Sequence, residues 1–108
     1  MITINGIKLE IDFTDADVQE RYNEAGKRLG AAKYGKLSTV EMTRKAAQNV
    51  RRFIDEIYGE GTGGKVLPKD SAADVMRAVD QIVEDARAQF AKVAELGEKF
   101  RSLGANEK

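Results

Sequence analysis

A long apolar seam in the last third of the chain constrains the fold more than any other sequence feature. Apolar residues recur at alternating steps of four and three, with one polar exception, at Val75, Val79, Ile82, Ala86, Gln89, Val93, Leu96, Phe100 and Leu103. This a/d heptad pattern predicts a single helix over residues 71–103, with Ser71 and Asp74 at its cap. Such a helix is ~48 Å long, whereas a compact domain of this size has a radius of gyration near ~13 Å. Its end must therefore project and meet another molecule, or bend back at Gly97 onto its own core.

The middle of the chain contains the best-specified helix. Ser38 and Glu41 have the spacing of a capping box, and the apolar residues that follow repeat at the helical period. Gly59 fits the left-handed position after a helix. The glycines at 61, 63 and 64 predict an irregular connection, and Pro68 disfavours a helix around it.

The N-terminal segment alternates apolar and polar residues around Asn5 and Gly6, the strongest short-range signal for a β-hairpin. Its apolar face comprises Ile2, Ile4, Ile7, Leu9, Ile11 and Phe13. A lone hairpin is marginal in water, so this face requires cover from helices or from another subunit. Thr14 then predicts the N-cap of a first amphipathic helix over residues 15–34.

Composition narrows the possible functions. The 108 residues are enough for one domain, and charged residues make up 33% of them with a formal net charge of zero. This balance argues against a nucleic-acid binder or a basic membrane-surface protein. Cysteine and histidine are absent, which removes thiolate chemistry and the commonest general base. No apolar run approaches a membrane span of ~20 residues, and no signal peptide is evident, so we expect a soluble intracellular protein.

Two patterns resemble ligand sites. Residues 59–65 match G-x-x-x-x-G-K, but Val66 stands where a phosphate-binding loop needs Ser or Thr, and the glycines follow a helix rather than a strand. We therefore interpret this segment as a helix stop. Asp12, Asp15 and Asp17 lack the EF-hand spacing and fit helix capping better than metal binding. We expect no cofactor, no metal and no catalytic residue.

The charged residues of the central helix suggest a solvated face. Arg51 lies four residues before Asp55, and Arg52 lies four residues before Glu56. This is the spacing of ion pairs within one helix, and it favours a charge-balanced surface over a basic binding patch.

Two segments resemble a family of small proteins from long-tailed phages and prophages. They are INGIKLEIDFTDADVQERYNEA, residues 4–25, and RRFIDEIYGEGTGGKVLP, residues 51–68. With the long closing helix, the similarity of layout covers most of the chain. The family is similar to tail assembly chaperones, which implies binding to the tape-measure protein or another tail protein in the host cytoplasm. It also implies homo-oligomer formation. The resemblance implies no particular functional residues.

Together these observations predict an α+β, mainly helical protein with an N-terminal β-hairpin followed by three helices, the last one long. Residues 1–103 form one domain, and residues 104–108 form a flexible tail. The predicted partner or oligomer interface is Val93, Leu96, Phe100 and Leu103. The expected function is that of a non-enzymatic phage tail assembly chaperone. The alternatives are a structural virion component of the tail or connector and a small nucleotide-binding subunit.

Overall fold

The computed structural model describes residues 1–106, and it confirms the mainly helical α+β class with an N-terminal hairpin. The described elements are β1 (Ile2–Ile4), β2 (Ile7–Leu9), α1 (Ala16–Ala31), α2 (Thr39–Tyr58), α3 (Thr62–Val66) and α4 (Ala72–Asn106). The short α3 is an addition to the three predicted helices. The long predicted helix corresponds to α4.

The hairpin forms as its turn sequence predicts. Ile4 pairs with Ile7 across a two-residue turn in which Asn5 and Gly6 have φ of 50° and 77°. Both values are positive, as a type I′ turn requires. Asn5 Nδ2 also donates a hydrogen bond to the Val66 carbonyl at 2.7 Å, which fixes the turn to the end of α3. The hairpin face is covered within the chain, because Ile4 and Leu9 are buried in the core.

Helix α1 is capped by a different residue from the predicted one. The Asp15 carboxylate accepts hydrogen bonds from the amides of Asp17 at 2.9 Å and Val18 at 3.1 Å, so Asp15 is the N-cap. The Thr14 hydroxyl instead donates to the Asp12 carboxylate, which lowers the pKa of that carboxyl. The predicted Thr14 cap was therefore wrong by one residue. The helix also ends at Ala31, three residues before the predicted end at 34.

Helix α2 begins with the predicted capping box. The Ser38 hydroxyl accepts from the Glu41 amide at 3.1 Å, and the Glu41 carboxylate accepts from the Ser38 amide at 3.2 Å. The hydrogen bonds from Ser38 hold the pKa of Glu41 below its ordinary value. At the other end Gly59 has φ 119° and ψ 150°. Glycine is needed there for its positive φ, but the residue lies outside the predicted left-handed helical region.

The second half of the glycine segment after α2 is helical, which corrects the prediction for Gly63 and Gly64, whereas Gly61 lies in a left-handed turn as an irregular connection would. Residues Thr62–Val66 form α3, which lies directly against the backbone of α2. Gly63 is buried, and a Cβ atom at this position would lie 2.2 Å from the Arg51 carbonyl oxygen. The Gly63 amide donates to the Asp55 carboxylate at 2.6 Å. The missing side chain therefore permits a backbone contact that places α3.

The core lies between the hairpin, α1, α2, α3 and the N-terminal half of α4. Its largest fully buried side chains are Phe13, Ile4, Ile54, Ile57, Leu67, Ile82 and Val66. Phe13 makes edge-on contacts with Tyr22, Tyr58 and Phe90, at centroid distances of 5.3, 6.3 and 6.1 Å. Burial raises the pKa of the Tyr58 phenol, and the nearby Asp85 carboxylate raises it further. These aromatic contacts join three helices to the segment that follows the hairpin.

The charged side chains of α2 pair with other elements instead of with each other. Arg51 binds Asp70 at 2.7 Å and the Leu67 carbonyl at 2.7 Å. Glu56 binds Arg28 of α1 at 2.5 Å. The intrahelical pairs predicted from the spacing were wrong, because neighbouring elements present partners that the sequence spacing does not reveal.

Candidate partner-binding surface

Helix α4 extends well beyond the rest of the molecule. It is continuous over 35 residues, and the molecule measures 64 × 31 × 21 Å along its principal axes. The radius of gyration is 17.1 Å, above the ~13 Å expected of a compact domain of this size. The helix continues through Gly97 without bending back onto the core. Of the two alternatives, a projecting end and a bend at Gly97, the structure therefore shows the projecting end. Residues 104–106 also belong to α4, whereas residues 107 and 108 of the predicted tail lie outside the described part.

The projecting part of α4 exposes the four predicted interface residues. Val93, Leu96, Phe100 and Leu103 are 40%, 48%, 63% and 59% exposed. Since all four fall at a/d positions, they lie along one face of the helix. We call these four residues the C-terminal stripe.

The C-terminal stripe continues the face that α4 buries in the core. Val75, Ile82 and Ala86 of the same heptad seam are buried, with Ile82 and Ala86 fully inaccessible. The seam therefore has two halves of the same chemical character. The first half is covered by the hairpin and α2, whereas in the second half the same face is open to solvent.

Gln89 stands at the boundary between the two halves. Its Oε1 accepts a hydrogen bond from the Phe13 amide at 2.8 Å, and its Nε2 donates to the Ile11 carbonyl at 3.3 Å. Nε2 also lies 3.2 Å from Asp85 Oδ1. The single polar member of the seam thus satisfies the backbone between the hairpin and α1. In the sequence, Gln89 stood out as the one polar residue at an a/d position. The pattern did not indicate which groups its side chain would bind.

We expect Gln89→Leu to destabilise the fold by about 1–3 kcal/mol, although it makes the seam uniformly apolar. The substitution leaves the partly buried Phe13 amide and Ile11 carbonyl without their partner, and loss of partners from groups shielded from water carries a cost of this size. Urea unfolding measures the loss, with Gln48→Leu at an exposed position of α2 as the matched control. Equal stability of the Gln89 variant and wild type would show that the hydrogen bonds of Gln89 do not stabilise the fold.

The glycine segment has the wrong geometry for a phosphate loop. In such a loop, free amides at a helix start face the phosphates. Here the Gly63 amide, in the first turn of α3, is already bound to the Asp55 carboxylate. Lys65 lies in the last turn of this five-residue helix. An anion bound at Gly63 would have to displace a carboxylate of the chain itself.

The acidic residues near the start of α1 act in local backbone capping. Asp15 is the N-cap, and Asp12 accepts from the Thr14 amide at 2.9 Å. Within residues 1–106, no group of three or more histidine, cysteine or acidic side chains is arranged to hold a metal ion. In the same part of the chain, no helix has an apolar stretch long enough to cross a membrane.

Comparisons with known proteins place the chain in a family without assigning an activity. Neither the curated proteins nor the solved structures contain a match to it. At the level of protein families, residues 5–108 match the model of a family of unknown function. This match spans nearly the whole chain, including the C-terminal stripe, and the protein therefore belongs to the family of unknown function DUF6673.

Proposed function

We propose that this protein is a non-enzymatic assembly chaperone that binds another protein along the C-terminal stripe. The observation that supports this is the exposure of Val93, Leu96, Phe100 and Leu103 on a helix that projects from the folded body. Each large apolar side chain left in water forgoes about 1.5–3 kcal/mol relative to burial. A contiguous exposed apolar face is a common mark of a protein–protein contact.

The resemblance of residues 4–25 and 51–68 to phage tail proteins suggests the specific form of this function. We propose that the partner is the tape-measure protein and that binding takes place in the host cytoplasm during tail morphogenesis. A long helical protein that has not yet been packaged would expose apolar faces of its own. Reversible binding of such a face to the C-terminal stripe would keep it from aggregating.

The resemblance to phage tail proteins also implies a homo-oligomer, which would need an uncovered surface. The hairpin face does not need a second subunit, because Ile4 and Leu9 are 2% and 3% exposed within one chain. We therefore expect any self-association to use the C-terminal stripe. It would then compete with partner binding, since both would cover the same side chains.

Co-expression with a tape-measure protein encoded in the same genome tests the proposed function. We expect the two proteins to co-purify and the tape-measure protein to stay soluble only in the presence of this chain. Proteomics of purified particles separates the chaperone from the alternative of a structural tail or connector component. A chaperone is absent from the mature virion, so stoichiometric recovery of the chain from particles would contradict the proposal.

A further inference from the structure

The two edges of the C-terminal stripe differ in chemistry. At about 3.6 residues per turn, Lys92 and Lys99 fall along one edge, one heptad apart and ~10 Å from each other along the axis. Gly97 and Gly104 fall along the other edge, also one heptad apart. A Cβ at Gly104 would have no atom within 4 Å, and one at Gly97 would meet only the end of the Arg101 side chain. The stripe thus has a cationic edge and an open edge without side chains.

The carboxylates of this part of α4 lie away from the stripe. By the helical period Glu98 falls on the opposite side, where it pairs with Arg101. Glu95 lies beside the lysine edge, three residues after Lys92 and four before Lys99, on the side turned away from the stripe. Within residues 1–106, Lys92 and Lys99 have no carboxylate at ion-pair distance, although Asp12 is near enough to Lys92 for its charge to be felt. The positive charge along this edge is therefore available to a partner.

A second copy of the chain fits this edge poorly. The folded body occupies the same face of α4 as far as Phe90, so a second α4 can overlap the stripe only in the antiparallel direction. Lys92 and Lys99 each precede an a residue and so occupy g positions of the heptad. In antiparallel pairs g faces g, so pairing the stripes in this direction brings Lys99 of both copies together near the twofold axis. Like charges at such positions are unfavourable.

We propose that the C-terminal stripe binds an amphipathic helix of another protein. This partner helix carries acidic residues one heptad apart beside its apolar face. The acidic residues meet Lys92 and Lys99, and the backbone of the partner lies close to α4 along Gly97 and Gly104. Charges beside the apolar seam select partners in paired helices in the same way. This inference rests on the proposed function, since it describes the chemistry of the partner that the stripe binds.

Two synthetic amphipathic peptides of about three heptads test the inference. Both carry leucine at a and d; one has glutamate beside the seam and the other has lysine. We expect wild-type protein to bind the glutamate peptide about tenfold more tightly at low ionic strength, with the difference shrinking as salt is added. In Lys92→Glu/Lys99→Glu the preference should reverse. Lys8→Glu/Lys69→Glu makes the same change in net charge away from the stripe and should keep the wild-type preference.

Three results would overturn the inference in distinguishable ways. If both peptides bind equally well and Leu96→Asp/Phe100→Asp abolishes both, the charge preference is wrong and the proposed function stands. If the glutamate peptide binds that double variant as well as wild type, the stripe is not the binding surface, and the proposed function loses its support. If sedimentation shows a stable wild-type dimer that the double variant lacks, the occupant of the stripe is a second copy.

Discussion

Gly63→Ala is expected to destabilise the protein by about 3 kcal/mol. Among alanine substitutions of the glycines, we expect none to cause a larger loss of stability. The added Cβ would lie 2.2 Å from the Arg51 carbonyl oxygen and 2.7 Å from the Arg51 Cα, so backbone must move against backbone. Movement of α3 would also strain the hydrogen bond from the Gly63 amide to Asp55. Urea unfolding followed by circular dichroism measures the effect.

Gly64→Ala provides the matched control, one residue away in the same short helix. No atom lies within 4 Å of a Cβ built at Gly64, and the residue is exposed. Alanine favours a helix over glycine by about 0.5–1 kcal/mol, so this variant should be as stable as wild type or slightly more stable. If Gly63→Ala behaves like Gly64→Ala, the close contact between α3 and α2 is not the reason for glycine at 63.

Leu96→Asp/Phe100→Asp is expected to abolish partner binding while leaving the fold intact. Both side chains are about half exposed or more, so the folded body does not depend on them. Charged groups in the centre of an apolar contact would have to be desolvated without a partner, which costs several kcal/mol. We expect near-normal helicity and thermal midpoint, together with loss of tape-measure capture and of any self-association.

Val40→Asp/Met76→Asp is the control for this variant. Val40 and Met76 are 60% and 61% exposed and lie outside the C-terminal stripe, so two new carboxylates there should preserve partner capture. Ile82→Asp, in the buried half of the same seam, should unfold the protein. If the stripe variant unfolds as Ile82→Asp does, the C-terminal stripe belongs to the intramolecular core and its assignment as an interface is wrong.

Local signals in the sequence were read correctly where a few neighbouring residues decide the geometry. Asn5 and Gly6 specify the hairpin turn, and Ser38 and Glu41 specify the start of α2, because each pair acts across one or two turns of backbone. The seam of α4 likewise allowed the helix to be predicted, since its period requires one continuous helix. Its length against the size of the chain left two possibilities, a projecting end or a bend at Gly97, and only the structure decided between them.

Pairings between distant segments could not be predicted in this way. Gln89 accepts from an amide 76 positions earlier in the chain, and Arg51 finds Asp70 instead of the nearby Asp55. The contact of Gly63 with the α2 backbone likewise depends on how two helices are placed. The spacing rule for charges failed on α2 because the partners from α1 and from the segment after α3 offered direct ion pairs.

The sequence by itself determined the hairpin turn, the capping box of α2 and the apolar face of α4, because these depend on short-range geometry and on the period of side chains. It missed α3 and misplaced the cap of α1 by one residue. Only the tertiary structure decided where that face passes from the core into solvent. The boundary falls at Gln89, where the hairpin segment ends its contact with α4 through Ile11 and Phe13. A heptad pattern is identical on both sides of this point, so burial depends on which other elements reach the helix.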